Sequence, residues 1–322
     1  MILSEMDRAI LAELTNDPFA SNATVAQRLG VSVTLVTARL RILQREKVSQ
    51  ILAVLDLDHM RQSFCVIQIQ VRGRAVADVV QDIVPMRTVL MVSELANGTA
   101  DLMVMVRFET LHELHSSVHG TLARVPGIHR WQIDIVADVP VFRSEYVTYS
   151  SKHEPMEIER NVAYLREDIP EGMCDDTDLY IIAHLQQNAH QSINNIARTL
   201  KIKPSTARYR INNLKSSDIL RFVRVIDRSS VDIGMFALVE IDAEINQVDK
   251  IIEQLHGKEW LPQLFHCIGR SNLICIVLSD GTEEALRIKR EEILSCAGVH
   301  EVRLSHLHTT HKVDFRWAQK SA

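Results

Sequence analysis

The sequence predicts an α+β chain built as a tandem repeat, each half a three-helix head followed by a βαββαβ sandwich. Three observations predict it. First, the chain of 322 residues resembles itself: DRAILAEL (7–14) matches DLYIIAHL (178–185), and sliding by 171 positions continues the match without a gap for about fifty residues. Second, the match resumes downstream, where Gly98-x-x-x-Leu102 faces Gly269-x-x-x-Leu273 and Gly127-Ile128-His129 faces Gly298-Val299-His300. Third, the apolar spacing inside each half changes from a helical period to the alternating or continuous pattern of strands. The implied domains are a head at 1–50, a sandwich at 51–149, a connector at 150–175, a second head at 176–221 and a second sandwich at 222–322.

Each head reads as three helices. Ser4-x-x-Asp7 forms a cap ahead of an apolar face made by Ile10, Leu11 and Leu14. Ser21 opens a second helix carrying Val25 and Leu29, and Gly30 takes the left-handed conformation that ends it. Ser32 caps a third helix with the inward stripe Val36, Leu40 and Leu43. In the second half Ser192 opens helix two, and Pro204 occupies the first position of helix three, where its missing N–H leaves no bond unmade. The stripe there is Ala207, Ile211 and Leu214. Lys201 stands where Gly30 stood, a change that costs about 1 kcal/mol if the left-handed turn is kept. Two short helices, a tight turn and a third helix make a helix-turn-helix.

Strand patterns follow each head. A connecting strand falls at about 51–55 and again at 222–226, and FCVIQIQV (64–71) and FALVEIDA (236–243) read as half-buried strands. Then come helices at about 76–83 and 247–256, strand pairs at 89–95/102–108 and 263–268/273–278, and longer helices at 111–124 and 282–296. Pro126-Gly127 or Ala297-Gly298 precedes a last strand. This β-α-β-β-α-β order is the ferredoxin-like split βαβ arrangement. The connector holds Pro155, Pro170 and Gly172 around a short helical pattern at Ile158–Arg166.

Composition narrows the class. The chain is 46% apolar and 24% charged, with a net charge of −5. It has no apolar run long enough to span a bilayer, and MILSEMDRAI lacks the basic-then-apolar order of a secretion signal, so a cytoplasmic protein without a membrane partner is expected. Five scattered cysteines, odd in number and without a Cys-x-x-Cys pair, argue against a disulfide framework or a thiolate zinc site. No nucleophile elbow, P-loop or dinucleotide fingerprint is present, so no catalytic residue and no cofactor is expected.

The local charge runs against the global one. Residues 198–224 hold eight Lys or Arg and one acidic residue. With Ala207, Ile211 and Leu214 inward, the third helix of the second head turns Ser205, Arg208, Asn212 and Lys215 outward and places Thr206, Tyr209 and Arg210 on its flanks. Hydroxyls, an amide and an arginine at such positions suit base edges and phosphates in a major groove, so double-stranded DNA is the expected partner. The first head offers Thr34, Thr37 and Arg41, with Leu35 and Ala38 beside them and Arg45 and Lys47 behind. The second head is therefore expected to dominate affinity. The competing reading is a solvated basic face on a structural three-helix unit; a complete helix-turn-helix occurring twice argues against it. Arg39 and Arg210 match between halves but flank the stripe, which fits either an ion pair at a head–sandwich junction or a phosphate contact.

Histidines form two further clusters. In SHLHTTH, His306 and His308 share one face of an unbroken strand and His311 follows a turn; neutral imidazoles there could hold Zn²⁺ or a haem iron. His112, His115 and His119 recur along one helix. No acidic or thiol ligand stands at a recognisable spacing, and solvated surface histidines are the competing reading.

The stretches VAQRLGVSVTLVTARLRILQREKV and IARTLKIKPSTARYRINNLKSSDI, with NGTADLMVMV, LARVPGIHRW, IGRSNLICIV and SCAGVHEV, resemble the Lrp/AsnC (feast/famine) family, two units fused in tandem. The resemblance implies a DNA-binding transcription regulator whose sandwiches dimerise and bind a small effector, often an amino acid, at the subunit interface. It places effector contacts at Gly98, Thr99 and Asp101 and at Gly269, Ser271 and Asn272. Thr99 stands where the family has an Asp beside its glycine, and the second turn, Gly269-Arg270-Ser271-Asn272, has no acid, so the two pockets differ. Lys47 and Asp218 replace the family's usual glycine after helix three. Fusion makes head pairing intramolecular, with reading helices about one helical turn apart and an imperfectly palindromic operator. Exposed sandwich surfaces leave room for dimers or tetramers of chains. Sirohaem decarboxylases share the two-part architecture and imply a tetrapyrrole in the sandwich cleft; Ile219-Leu220-Arg221-Phe222-Val223-Arg224 matches their strand pattern only loosely. A scaffold that organises DNA without sensing is the third reading.

Overall fold

The computed structural model describes residues 3–46, 48–56, 63–142, 158–226, 234–313 and 317–318. In chain order the first half contains α1 (Glu5–Asn16), α2 (Asn22–Leu29), α3 (Val33–Arg45), β1 (Ser49–Asp56), β2 (Ser63–Val71), α4 (Val76–Ile83), β3 (Val89–Ala96), β4 (Leu102–Phe108), α5 (Leu111–His115) and β5 (Ile128–Phe142). A connector helix, α6 (Ile158–Asp168), follows. The second half contains α7 (Asp176–Gln187), α8 (Ile193–Thr199), α9 (Pro204–Ser216), β6 (Leu220–Ile226), β7 (Met235–Ala243), α10 (Val248–Leu255), β8 (Gln263–Ile268), β9 (Leu273–Ser279), α11 (Thr282–Arg287), β10 (Val299–Val313) and β11 (Trp317–Ala318).

Head groups with head, and sandwich with sandwich. One unit gathers the described residues within Met1–Arg61, Ser144–Asp232 and Phe315–Gln319; the other gathers those within Gln62–Arg143 and Ile233–Asp314. The connecting strands, expected to belong to the sandwiches, belong to the head unit. There β1 and β6 pair antiparallel from Ser49↔Ile226 to Leu55↔Leu220, and β11 adds in parallel at Leu55↔Trp317. The correction has a simple cause: a short apolar strand carries no sign of its partner, and here the partner is the equivalent strand of the other half.

Local chemistry forms the heads as the spacing requires. The Ser4 hydroxyl accepts from the Asp7 N–H at 3.2 Å and the Asp7 carboxylate accepts from the Ser4 N–H at 2.9 Å, a closed capping box; Asp175 and Asp178 repeat it at α7. Ser21, Ser32 and Ser192 cap α2, α3 and α8. Gly30 has φ 66° and Lys201 φ 54°, so the left-handed turn is kept without the glycine. Asp218 is also left-handed, at φ 55°, while Lys47 lies outside the described residues. Ile10, Leu14, Val25, Ala26 and Val36 form the first head's core. The second core is larger, because Val162, Leu165 and Ile169 at α6 pack with Leu179, Ile182, Ile211 and Leu214, and with Ala53 and Leu55 of β1.

In the sandwich unit the strands close into a barrel of order β10-β3-β4-β2-β5-β8-β9-β7. Side chains on one face of each strand meet helices: Ile67, Ile69 and Val104 pack with Val79, Val80 and Ile83, and Val239, Ile241 and Cys275 pack with Val248, Ile251 and Leu255. The alternate residues turn inward, as the period of two demands, and Phe64 meets Phe265 edge-on with centroids 5.6 Å apart. The helices expected at 111–124 and 282–296 are composite: each begins as an α-turn and continues as a wider π-turn, Ser116–Thr121 and Ile288–Ile293. No described helix is long and apolar enough to cross a membrane.

Candidate nucleic-acid interface

The third helix of each head stands on a fixed base. Arg39 on α3 reaches α1 and donates to both carboxylate oxygens of Asp7, at 2.8 and 2.5 Å. Arg210, the equivalent residue on α9, contacts Asp175 at 2.8 Å and Asp178 at 2.9 Å. Both pairs lie inside a head. This corrects the two expected alternatives, a head–sandwich junction or a phosphate contact: the arginines tie helix three to the capped start of helix one. Burial pushes the Asp7 carboxyl up, but the bonds from Arg39 and Ser4 outweigh it and hold it below the ordinary carboxylate value.

Outward positions of α9 are open. Ser205, Thr206, Arg208, Tyr209, Asn212 and Lys215 are all exposed, Tyr209 at 67%. Lys215 also places its Nζ 5.7 Å from the centroid of the Phe222 ring, so its stem is held against β6. On α3, Thr34, Arg41 and Arg45 are exposed, Arg45 bonding Glu46 at 2.9 Å. Thr37 is half-buried and accepts from Asn22 Nδ2 at 3.0 Å, which ties it to α2.

Contacts between the heads were not legible in the sequence. Phe19, in the turn between α1 and α2, packs edge-on against Phe222 of β6 at 5.0 Å and against His190, its own repeat counterpart, at 5.9 Å. Arg224 crosses the ladder and donates to the Pro18 carbonyl at 2.9 Å and to Ser49 Oγ at 3.2 Å. These links and the β1·β6 ladder hold α3 and α9 in one unit.

Comparison with known proteins agrees with this arrangement. A family model described as winged helix-turn-helix DNA-binding matches twice, at residues 3–48 and 175–221. An uncharacterised HTH-type transcriptional regulator of Pyrococcus horikoshii is 24% identical over 139 residues, covering 43% of this chain and 88% of the relative. The HTH-type transcriptional regulator Ptr1 of Methanocaldococcus jannaschii is 23% identical over 141 residues, 44% of this chain and 95% of the relative. One half of this chain therefore corresponds to a whole relative. The chain is similar to HTH-type transcriptional regulators, with a winged helix-turn-helix DNA-binding match in each half. Among solved structures, the siroheme decarboxylase NirDL aligns with 96% of the chain and 93% of its own at a TM-score of 0.59 and 13% identity, a likeness of fold.

The Lrp/AsnC resemblance pointed to two turns of the sandwich unit, and the structure places them on equivalent junctions of the barrel. At the first turn Gly98 abuts Ser305 of β10; at the second, Gly269 abuts Asp134 of β5. Thr99 gives its carbonyl to Gln70 Nε2 at 2.7 Å, and Asp101 accepts the Val71 N–H at 2.7 Å. Asn272 does the same for Ala243 at 2.7 Å, so the missing acid of the second turn is replaced by an amide oxygen in the same backbone role. Ser271 enters a largely buried network: the Ser271 N–H donates to Asp134 at 3.0 Å, Gln132 donates to Asp134 at 2.8 Å and to Glu240 at 3.1 Å, and Arg303 donates to Ser271 Oγ at 2.9 Å.

The histidine clusters come apart. Strand β10 runs unbroken through His311, with register shifts near Thr310 in place of the expected turn. His306 is buried, His308 is exposed, and His311 bonds Glu94 at 2.7 Å. The rings of His115 and His119 stack 4.9 Å apart, and His119 meets Trp131 edge-on at 5.6 Å. Among the described residues no three His, Cys, Asp or Glu side chains converge as metal ligands.

Proposed function

We propose that this chain is a tandem regulator of the Lrp/AsnC type, a sequence-specific DNA-binding transcriptional regulator that supplies both reading helices from one polypeptide. The observation that carries the reading is the exposed face of α9, with Ser205, Arg208 and Asn212 outward, held in one unit with α3. Thr34, Thr37, Arg41 and Arg45 on α3 and Thr206, Tyr209 and Lys215 on α9 complete the contact surface, with α9 dominant. Selection of preferred duplexes from a random library by the full chain, followed by gel shifts, tests it. Retention of a preferred duplex over scrambled DNA is expected; equal retention of both would refute it.

The sandwich unit is read as the sensor of a small molecule. Two features support this. The turns at Gly98–Asp101 and Gly269–Asn272 lie on barrel junctions built from both halves. Gln68, beside Gln132 in the β2·β5 ladder, is buried with no protein acceptor for its Nε2. A ligand bearing an acceptor would supply one. A thermal-shift screen of amino acids tests the reading, since a bound metabolite raises the melting temperature by mass action. The chain is read as a non-enzyme. A tetrapyrrole enzyme of the same fold is the rival reading, and titration with sirohaem followed by absorption decides it: a saturable spectral change would favour the enzyme.

A further inference from the structure

Equivalent positions of the two reading helices carry different chemistry. We propose that the first head reads thymine methyl groups and the second reads the hydrogen-bonding edges of purines, so that the two half-sites differ in kind. The inference rests on the DNA-binding reading above.

The first two turns of α3, Val33–Leu40, hold one cation, Arg39, which is bound to Asp7. What they present is aliphatic: Val33 is 47% exposed, Leu35 is 39% exposed, and Ala38 and the methyl-bearing Thr34 are exposed beside them. Thr37 is tied to Asn22. The same turns of α9 replace Val33 by Pro204, Leu35 by Thr206, Thr37 by Arg208 and Ala38 by Tyr209. Ile193 stands in the place of Asn22, so the tie at position 37 is not repeated at Arg208. One turn on, Arg41 of α3 faces Asn212 of α9 in the repeat.

Groove chemistry sorts these faces. The C5 methyl of thymine is the one apolar group that bases offer in the major groove, and aliphatic side chains recognise it. Arg208 suits guanine O6 and N7, and Asn212 suits adenine N6 and N7, both by paired hydrogen bonds. Flanking Arg41 and Arg45 then serve the first head as phosphate contacts, which position without specifying. Both heads sit in one unit, so a single docking presents both faces.

The test uses the full chain and its selected duplex. Thymines in each half-site are replaced by deoxyuridine, which lacks the methyl, and guanines by 7-deazaguanine, which lacks N7. Deoxyuridine in one half-site is expected to weaken binding about fourfold per contacted methyl, with no change from the same replacement in the other. The Leu35→Ala and Val33→Ala variants, altered at exposed positions, assign that half-site to the first head by losing the deoxyuridine effect. Deazaguanine in the other half-site is expected to weaken binding about tenfold, an effect lost in Arg208→Gln. A preferred duplex with equal or absent methyl dependence in its halves overturns this inference and leaves the regulator reading intact. Failure to select any duplex overturns both.

Discussion

Leu52 and Val223 face each other at the centre of the β1·β6 ladder, and they are the same position of the repeat, 171 residues apart. A local twofold axis therefore passes through this pair. Two separate units would have to meet at this strand to pair their heads, and the fusion makes the meeting intramolecular.

Arg224 departs from that symmetry, since Ala53 is its counterpart. Replacing it by Met keeps the aliphatic stem and removes the bonds to Pro18 and Ser49. Loss of about 1–3 kcal/mol is expected in denaturant melts. The heads should also tolerate spacing changes better. Affinities for operators with one or two base pairs inserted between half-sites measure this, and the penalty for insertion should shrink.

Asp7 is fully buried, whereas Asp175 and Asp178 are partly exposed. Arg39→Ala, which strands a buried carboxylate, should cost about 3 kcal/mol. Arg210→Ala should cost about 1 kcal/mol. The pH sign follows. Burial raises the Asp7 and Asp175 carboxyls, but bonds from Arg39 and Ser4, and from the Asp178 N–H and Arg210, leave both below their ordinary values. A depressed carboxyl stabilises the fold fully above its unfolded pKa of about 3.9 and loses that contribution as pH falls through the depressed value. Head stability should therefore drop below about pH 4. Circular dichroism of Asp7→Asn across that range should show a flatter decline.

Lys201 holds a left-handed backbone that glycine adopts freely. Lys201→Gly should stabilise the second head by about 0.5–1 kcal/mol, and Gly30→Ala should destabilise the first by about 1 kcal/mol. Opposite shifts in urea midpoints check the pair.

Gly269 packs against backbone, Gly98 against a side chain. A Cβ on Gly269 would lie 2.9 Å from the Ile133 carbonyl oxygen and from Asp134 Cα, neither free to move alone. On Gly98 it would meet Ser305 Oγ and, at 2.8 Å, Ser305 Cβ. Gly269→Ala should cost about 2–3 kcal/mol and Gly98→Ala about 1 kcal/mol. In thermal melts, Ser305→Ala should partly rescue only Gly98→Ala.

The outward face of α9 was legible because one amphipathic helix reports its own inside: Ala207, Ile211 and Leu214 are buried, and the positions between them are exposed apart from half-buried Arg210. Arg39 and Arg210 resisted the same logic, since a flank position fits either a phosphate or a carboxylate until the partner helix is in place. Asp101 and Asn272 looked different in sequence, yet both serve a backbone N–H, because the ladder needs an acceptor and either side chain supplies one.

The sequence by itself determined the repeat, the helix caps, the alternation of the strands and the outward chemistry of α3 and α9. All of these follow from interactions within a few residues or from periodicity. Only the tertiary structure decided that β1 joins β6, that Arg224 and Phe19 link the heads, and that Asp134, Glu240 and Arg303 share one buried network. Those pairings join residues far apart in the chain, 63 positions for Glu240 and Arg303 and more than a hundred for most of the others, and strand periodicity sets which face is buried without naming the strand that will cover the edge.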